Sequence, residues 1–562
     1  MSEQVTSTYR VVDRIIGRLA RHGVRHIFGV DGANIEDLYD AAHFSADITA
    51  VLAKHEFSAA TMADGYRRGG AGLGVVVATS GGGSLNLVAA LGESLASRIP
   101  VLALVGQPPT AMDGRGSFQD TSGRGGALDA EALFSAVSVY CRRVVDAGTI
   151  DTALTEALAV TRRGPAVLLL PKDVQQNRFE VDTDEPAVVP WNVVIGDPAP
   201  IVAQLRQVRG PVTIIAGEQV ARDDARDELE RLRAILRARV ATVPDAKDVS
   251  GAPGLGSSSA LGVTGVMGHP GVADVVADSA VCVLVGTRLP ATARAGLDGV
   301  LAQVPVLSLG AEQPYPPSLH VHTDDLRESL TMLNAALSGP LRVTVPERIP
   351  HAELSPPVYH GDGIRYRDAM AALDRALPDG ADIVVDAGNT GAAAIHYLPV
   401  RRGGRLVVAL GMGGMGYSFG AGIGMCFGRG RRTVIIAGDG SFFMHGLEVH
   451  TAIQYQLPVT VVLFNNNAHA MCVTREQLFY RDLYSYNRFA PSKLGAGLAA
   501  MFPGLPSVDI ADIDGLPKAL HSALNAEGPS VVSIECSADE IPPFAPFLEK
   551  KESPAHVAAR TR

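Results

Sequence analysis

The sequence predicts an α/β protein built from three doubly wound parallel-sheet domains. Apolar runs of strand length alternate with helical patterns along the chain, as is typical of parallel sheets covered by helices. The length of 562 residues exceeds what a single hydrophobic core usually supports. Two polar, proline-bearing segments, residues 172–191 and 340–363, interrupt the alternation and are the expected linkers. The expected parts are an N-terminal domain (1–180), a central domain (190–340), a C-terminal domain (360–545) and a tail (546–562).

Each third of the chain has its own expected elements. In the N-terminal domain a helix over residues 11–22 precedes the first strand, and a turn at Gly32 follows that strand. A charged helix over 222–237 is expected in the central domain, and helices over 366–377 and 446–455 in the C-terminal domain. The expected strands are 26–30, 74–78, 101–105, 166–171, 212–216, 281–285, 304–309, 383–386, 433–437 and 459–465.

The bulk composition indicates a globular protein without a polyanionic partner. Hydrophobic residues make up 47% and charged residues 19% of the chain, the balance of a packed protein. The net charge of −10 argues against nucleic acid or an acidic membrane as a partner. The apolar runs are far shorter than a membrane-spanning helix, and the first ten residues carry no apolar signal. A cytoplasmic enzyme is the expected class.

The most informative motif combines a Gly-Asp-Gly turn with an asparagine cluster. Gly438, Asp439 and Gly440 follow an apolar strand, and Asn466 lies 27 positions beyond Asp439 at the end of the next strand. Because neighbouring parallel strands end at one edge of a sheet, the aspartate and the asparagine can approach each other. Their oxygens are ligands that Mg²⁺ takes together with phosphates and water, and the glycines let the backbone approach a diphosphate. An ordinary strand–turn–helix is the alternative.

This motif resembles the thiamine diphosphate (ThDP) motif, in which GDG is followed by Asn-Asn after the next strand. With further matches over about residues 10–180 and 365–540, the chain is similar to the large catalytic subunit of the acetolactate synthase family. The resemblance implies that Asp439, Asn466 and the backbone carbonyl of Ala468 hold Mg²⁺. It also implies that the N-terminal domain binds the pyrimidine of ThDP and the C-terminal domain its diphosphate. The cofactor contacts expected in the C-terminal domain are Gly438, Gly440, Ser441 and His469.

The resemblance assigns residues of the N-terminal domain as well. Glu56 matches the glutamate that bonds to the pyrimidine ring and so helps to remove the thiazolium proton. Residues 79–87 (TSGGGSLNL) match a turn of the family in which Gly82 replaces proline. Phe118 and Gln119 match a wall and a polar contact of the active site. Further cofactor contacts expected in this domain are Gly32, Ser80 and Asn86.

A glycine loop, residues 411–416 (GMGGMG), resembles the segment that grips the middle of the cofactor. By this resemblance, Met415 is the apolar wedge that bends ThDP, and the Gly413 carbonyl accepts a bond from its amine. His445 and His469 are expected nearby and could move protons, since imidazole titrates near neutral pH. Structural roles are the alternative for both histidines.

Two regions depart from the acetolactate synthase pattern. Arg475 stands where the family carries a tryptophan that shapes the acceptor pocket. A guanidinium there favours carboxylate, phosphate or other polar acceptors, unless it points to solvent. In the central domain, residues 262–268 and 285–288 faintly resemble the region that holds FAD, whereas 245–248 differ, so FAD stays an open cofactor.

Three functions compete. The match through residues 106–120 favours ThDP- and Mg²⁺-dependent decarboxylation of a 2-oxo acid such as pyruvate, with carboligation to a carbonyl acceptor. One alternative is a decarboxylase that releases an aldehyde. The other is a non-catalytic scaffold, which would have no need of Glu56. A homodimer or homotetramer with shared active sites is expected from the resemblance.

Overall fold

The computed structural model describes residues 8–180, 193–250, 260–344, 352–400 and 403–548. Within these ranges the chain forms three parallel β-sheets flanked by helices, which confirms the expected fold class. Parts of both expected linkers and most of the expected tail lie outside the described residues.

The N-terminal sheet has six parallel strands, and helices cover both of its faces. Val75 and Val77 enter the core on one face, whereas Val76 and Ala78 enter the core on the other, as expected for a strand buried on both sides. In spatial order the strands are Thr49–Leu52, His26–Val30, Gly74–Ala78, Val101–Gln107, Ala166–Pro171 and Tyr140–Arg143. The helices are Val11–Arg21, Glu36–His43, Glu56–Arg68, Gly82–Leu85, Val88–Ala96, Ala130–Ser135, Ile150–Val160 and Lys172–Gln176.

The central sheet has seven parallel strands. The expected charged helix over 222–237 begins four residues late, as Arg226–Leu236, because Asp224, with a left-handed φ of 52°, separates it from the short helix Gln219–Arg222. Six strands follow in the spatial order Ala260–Val263, Arg239–Thr242, Gly210–Ala216, Val281–Val285, Val306–Gly310 and Leu319–His322, and Val343–Thr344 pairs with Gly210–Ala216. The helices are Ala199–Leu205, Gln219–Arg222, Arg226–Leu236, Gly271–Ala277, Ala291–Arg294, Asp298–Leu301 and Leu326–Ala336.

The C-terminal sheet has six parallel strands and carries the Gly-Asp-Gly turn. The expected helix over 446–455 begins with a 3-10 turn, Gly446–Glu448, and continues as an α-helix. In spatial order the strands are Leu406–Val408, Asp382–Val385, Thr433–Gly438, Val459–Asn465, Ser530–Glu535 and Ser507–Ile510. The helices are Tyr366–Ala376, Asn389–Tyr397, Tyr417–Arg429, Asp439–His445, Val449–Gln454, Ala470–Phe479, Leu494–Met501, Leu516–Leu524 and Ala545–Leu548.

The two outer sheets share one strand order. When strands are numbered along the chain within each sheet, both sheets run 2-1-3-4-6-5. Corresponding loops of the two domains therefore leave their sheets at matching places. No short sequence repeat accompanies this duplicated topology.

The outer domains pack together through the helix that follows the second strand of each sheet, Glu56–Arg68 and Tyr417–Arg429. Two glycines permit the close approach. A Cβ on Gly65 would lie 2.1 Å from the carbonyl oxygen of Ala421, and one on Gly424 would lie 1.9 Å from that of Met62. One hydrophobic core runs between the two sheets on this side and fixes their relative position.

Regular structure extends into segments that the sequence pattern assigned to linkers and tail. Lys172–Gln176 is helical, and Arg178–Glu180 pairs antiparallel with Thr8–Arg10. The tail begins inside the helix Ala545–Leu548, whose Phe547 is buried. Among the described residues, no helix combines the length and apolar character needed to cross a bilayer.

Candidate cofactor site

The Gly-Asp-Gly turn and the asparagine cluster meet at the carboxyl edge of the C-terminal sheet. Gly438 pairs with Phe464 at the end of the ladder, so Asp439 and Asn466 leave neighbouring strands at the same edge. The backbone N–H of Ala468 donates to Asp439 Oδ2 at 3.1 Å. The structure thus brings together the three positions expected to bind the metal.

Asp439 and Asn466 each keep a buried Oδ1 without a hydrogen-bond partner among the described residues. Asn466 Nδ2 donates to the Tyr366 hydroxyl at 3.2 Å, so the amide oxygen of Asn466 points away from Tyr366. Burial raises the pKa of the Asp439 carboxyl to about 6, against the opposing effect of backbone N–H donors such as that of Ala468. Buried oxygens without partners are unfavourable, and a hard divalent cation would satisfy both. The donor set therefore fits Mg²⁺.

Asp386 joins the turn to the glycine loop. Its carboxylate is buried, accepts the Ser441 hydroxyl at 2.6 Å, and accepts the backbone N–H groups of Gly416 at 3.0 Å and Ser418 at 2.9 Å. Ser441 is thereby held beside the loop. The sequence pattern identified Asp386 only as the end of a strand.

Two expected cofactor residues, His469 and Met415, lie against a third, Gly440. A Cβ there would lie 2.5 Å from His469 Nδ1 and 3.5 Å from Met415 Cε. His469 Nδ1 is itself buried without a partner among the described residues, and its ring meets Phe489 edge-on at 4.7 Å. An unsatisfied nitrogen and the expected apolar wedge therefore lie beside the same glycine.

Glu56 begins a helix, and only one of its two carboxylate oxygens accepts a hydrogen bond from the described residues. His55 caps the helix, since its Nδ1 accepts the Phe57 N–H at 3.1 Å. Asn86 Nδ2 donates to Glu56 Oε2 at 2.9 Å. The other oxygen, Oε1, lies against Gly83, where a Cβ would come within 2.9 Å. The glycine leaves Oε1 open to a hydrogen-bonding ligand atom.

A second group of expected residues surrounds the turn that starts at Thr79. The Ser80 hydroxyl is buried and donates to Gln119 Oε1 at 3.4 Å. Gln119 has a left-handed backbone, with φ 59°, and its Cγ would lie 2.7 Å from a Cβ on Gly81. A Cβ on Gly32 would lie 2.8 Å from the Thr79 side chain. Gly32, Ser80 and Gln119 thus belong to one tightly packed unit, and the strained glutamine backbone is a common feature of functional sites.

The start of the Glu56 helix reaches the glycine loop within one chain. A Cβ on Gly414 would lie 3.5 Å from the Phe57 ring, and that ring stacks on His445 at 4.4 Å between centroids. His445 also packs against Gly416, where a Cβ would lie 2.5 Å from Cδ2. Burial, with a smaller contribution from His55, lowers the pKa of His445 to about 4, so its imidazole is neutral at physiological pH.

Two expected residues are exposed in the single chain rather than packed into these contacts. Phe118 has 79% of its surface exposed. Arg475 is exposed on the helix Ala470–Phe479 and forms no ion pair with the described residues. Large apolar side chains of the C-terminal domain are exposed as well, namely Met412, Phe443, Met444 and Leu447.

Two family models match the chain at its outer domains. Residues 9–125 match the N-terminal TPP binding domain of thiamine pyrophosphate enzymes, and residues 386–534 match their C-terminal TPP binding domain. The chain belongs to the thiamine pyrophosphate enzymes. Thiamine pyrophosphate (TPP) is a synonym of ThDP, so these matches confirm the resemblance stated from the sequence.

Relatives of this thiamine pyrophosphate enzyme span nearly the whole chain. It is 27% identical to the probable acetolactate synthase large subunit of Methanocaldococcus jannaschii, over 95% of this chain and 93% of that protein. It is 26% identical to the acetolactate synthase isozyme 2 large subunit of Escherichia coli, over 95% and 96% of the two chains. It is 27% identical to acetolactate synthase 1, chloroplastic, of Nicotiana tabacum, over 93% of this chain and 81% of that protein.

The central domain of this thiamine pyrophosphate enzyme lies outside both matched ranges. Gly286, Thr287 and Arg288, from the segment that faintly resembles an FAD site, line a cavity of about 320 Å³ that reaches Gly411. Glu312 lies in the same cavity and forms a salt bridge with Arg288 at 2.9 Å. The cavity therefore lies beside the glycine loop and already contains an internal ion pair.

Proposed function

We propose that this chain decarboxylates a 2-oxo acid of the pyruvate type and joins the remaining fragment to a carbonyl acceptor, using ThDP and Mg²⁺. The observation that carries the proposal is the combination of Glu56 in one outer domain with the unsatisfied oxygens of Asp439 and Asn466 in the other. The similarity to acetolactate synthases over most of the chain supports carboligation rather than simple aldehyde release.

The C-terminal domain would hold Mg²⁺ and the diphosphate. Asp439 Oδ1, Asn466 Oδ1 and the Ala468 carbonyl would bind the ion, because the two side-chain oxygens are buried and have no other partner in the described parts of the chain. Gly438 and Gly440 would let the backbone approach the diphosphate. Ser441, fixed by Asp386, and His469 Nδ1, which has no partner among the described residues, lie beside this turn.

The N-terminal domain would hold the pyrimidine. When bound, ThDP supplies a nucleophilic carbon that adds to the 2-oxo acid and accepts the electron pair released with CO₂. Glu56 would exchange a proton with the pyrimidine ring through the open Oε1, while Asn86 fixes Oε2. The glycine loop would support the middle of the cofactor, with Met415 as its apolar wedge and the Gly413 carbonyl as its acceptor.

The acceptor would meet Gln119, Phe118 and Arg475. Gln119 is fixed by Ser80 and by its strained backbone, so it can present a rigid polar group. Arg475 has no acidic partner among the described residues, and an anionic group on the acceptor would provide one.

The sites would be shared between two chains. Phe118, Met412, Phe443 and Leu447 are exposed in a single chain, and burying such apolar side chains against a second copy would stabilise a dimer. Co-expression of Glu56→Gln chains with Asp439→Ala chains would then place one intact site in each mixed dimer. Recovered activity in verified mixed dimers supports sharing, whereas inactivity would mean that each chain builds its own site.

The reaction itself is tested with a panel of 2-oxo acids in the presence of ThDP and Mg²⁺, with mass detection of CO₂ loss and of products. Ligated product is expected, and Glu56→Gln should remove it. Release of free aldehyde alone would favour the decarboxylase, and no CO₂ loss from any 2-oxo acid would contradict the proposal. A homotetramer and a cytoplasmic location remain predictions, and FAD stays an open cofactor. The visible absorbance of the purified protein tests FAD.

A further inference from the structure

A buried glutamate of the N-terminal domain holds the glycine loop of the C-terminal domain. Glu93 lies in the helix Val88–Ala96 and is 3% exposed. Its Oε1 accepts the backbone N–H of Gly411 at 3.2 Å, and its Oε2 accepts those of Met412 at 2.6 Å and Gly413 at 3.3 Å. The Ser97 hydroxyl donates to Oε1 at 2.8 Å. One carboxylate thus binds three consecutive backbone donors across the domain boundary.

A buried glutamate of the C-terminal domain holds the turn before Glu56 in the same way. Glu448 is 2% exposed, and both of its oxygens accept the backbone N–H of Lys54, at 3.0 and 3.2 Å. The Thr451 hydroxyl donates to its Oε1 at 2.6 Å. Lys54 lies two positions before Glu56, in the turn that leads into the Glu56 helix.

The two contacts are equivalent in the duplicated topology. Glu93 and Glu448 both lie between the third and fourth strands of their own sheets. Each binds the segment between the second strand of the other sheet and the helix that follows it. Each also accepts a hydroxyl from its own domain. The pair therefore forms a reciprocal clamp across the interface between the outer domains.

Hydrogen bonds, together with an ion pair of Glu93 Oε1 with Arg68 at 3.5 Å, explain why both carboxylates can be buried. A buried carboxylate without donors is strongly unfavourable, whereas each of these accepts at least one backbone N–H and one hydroxyl. The same bonds restrict the loops, since a backbone N–H bonded to a buried acceptor has to break that bond before it can move. Gly413 and Gly416 adopt left-handed φ values of 65° and 87°. Because glycine loses more conformational freedom than other residues when it is ordered, external hydrogen bonds help to hold this loop in one conformation.

We propose that Glu93 and Glu448 are reciprocal positioning residues, each of which fixes the cofactor loop of the opposite domain before the cofactor binds. The link to the cofactor rests on the proposed function. The clamp itself does not depend on that function, because its hydrogen bonds are present in the cofactor-free chain.

Hydrogen exchange of the cofactor-free protein, read by mass spectrometry, tests the clamp. Glu93→Gln should speed exchange at Gly411–Gly413 roughly tenfold to a hundredfold, because it weakens bonds to a charged acceptor. Glu448→Gln should act instead on the turn that contains Lys54. The diagnostic result is that each substitution loosens a loop in the other domain. Glu228→Gln is the matched control, since Glu228 is 5% exposed in the central domain and touches neither loop.

Unchanged exchange at both loops would overturn the proposal, as would acceleration spread evenly over all domains. If a glutamine variant does not fold, Glu93→Asp or Glu448→Asp is used instead. Aspartate keeps the charge, but its side chain is one carbon shorter and lies farther from the backbone donors, so the same local increase in exchange is expected. The second measurement is ThDP affinity with Mg²⁺, which both glutamine variants should lower and Glu228→Gln should not. Unaltered affinity in a variant with a loosened loop would exclude the positioning role. Absence of ThDP binding in the wild-type protein would instead reject the proposed function and leave the exchange result standing.

Discussion

Gly438→Ala should weaken the binding of ThDP without destabilising the cofactor-free protein. Around a Cβ on Gly438 the nearest atoms are Thr390 Oγ1 at 3.8 Å and the Phe464 carbonyl oxygen at 4.0 Å. The backbone there, with φ −85° and ψ 163°, suits alanine. The methyl group therefore fits the cofactor-free protein, and stability should change by no more than about 0.5 kcal/mol.

Gly440→Ala provides the contrast within the same turn. Its Cβ would lie 2.5 Å from His469 Nδ1, so the ring has to move by about 1 Å, and overpacking of this kind costs about 1–3 kcal/mol. Thermal unfolding without cofactor should show a lower Tm for Gly440→Ala and an unchanged Tm for Gly438→Ala.

The Gly438→Ala methyl group, which fits the cofactor-free protein, should interfere with the bound cofactor. If the diphosphate lies against this backbone, the added methyl group meets it, and a clash of about 1–3 kcal/mol weakens ThDP binding by about 5- to 150-fold. Titration calorimetry in Mg²⁺ buffer measures this affinity. A Gly438→Ala variant that binds ThDP as tightly as the wild type would refute the close approach, and a destabilised cofactor-free variant would refute the local geometry.

Three further outcomes are expected. Glu56→Gln should bind ThDP but lose most turnover, as measured by steady-state kinetics, because an amide cannot exchange the proton. Gly424→Ala should lower Tm by several degrees, since its Cβ would lie 1.9 Å from the Met62 carbonyl oxygen; an unchanged Tm would contradict the helix contact. Burial raises the pKa of Glu540 from 4.5 to about 7, so folding takes up a proton and stability falls as the pH rises through that window. Glu540→Gln should abolish this fall. Above pH 7 its free energy of unfolding should exceed that of the wild type by at most about 3 kcal/mol, as measured by unfolding at a series of pH values.

The buried strands were the most predictable part of the fold. The expected strands at 26–30, 74–78, 166–171, 281–285 and 459–465 coincide with observed strands. All five are mostly apolar and largely buried on both faces, which produces a nearly continuous hydrophobic run in the sequence. Helix boundaries were less predictable. The break at Asp224 depends on one left-handed residue that leaves no hydrophobic signal.

The residues expected at the metal were predictable because they follow strands directly. Asp439 and Asn466 lie within two positions of the paired residues Gly438 and Phe464, so the parallel sheet alone brings them together. The carboxylates that organise the loops were not predictable. Glu93 looks like any glutamate on a helix until its distant backbone partners are known, and those partners are more than three hundred positions away in sequence.

The exposed residues mark the limit of reasoning from one chain. Phe118 and Arg475 were expected at the acceptor, yet both side chains are exposed in a single copy. A second copy is the arrangement that would cover such surfaces. Their roles remain predictions that depend on the proposed dimer.

Calorimetric titration of ThDP into chelator-treated protein, with and without added Mg²⁺, tests the central claim most directly. The buried oxygens of Asp439 and Asn466 are suited to a divalent ion, and a diphosphate placed there without the ion would face a carboxylate. Tight binding is therefore expected only when Mg²⁺ is present, and Asp439→Ala should abolish it. Equal affinity with and without Mg²⁺, or retention of Mg²⁺-dependent binding by Asp439→Ala, would contradict the proposed site.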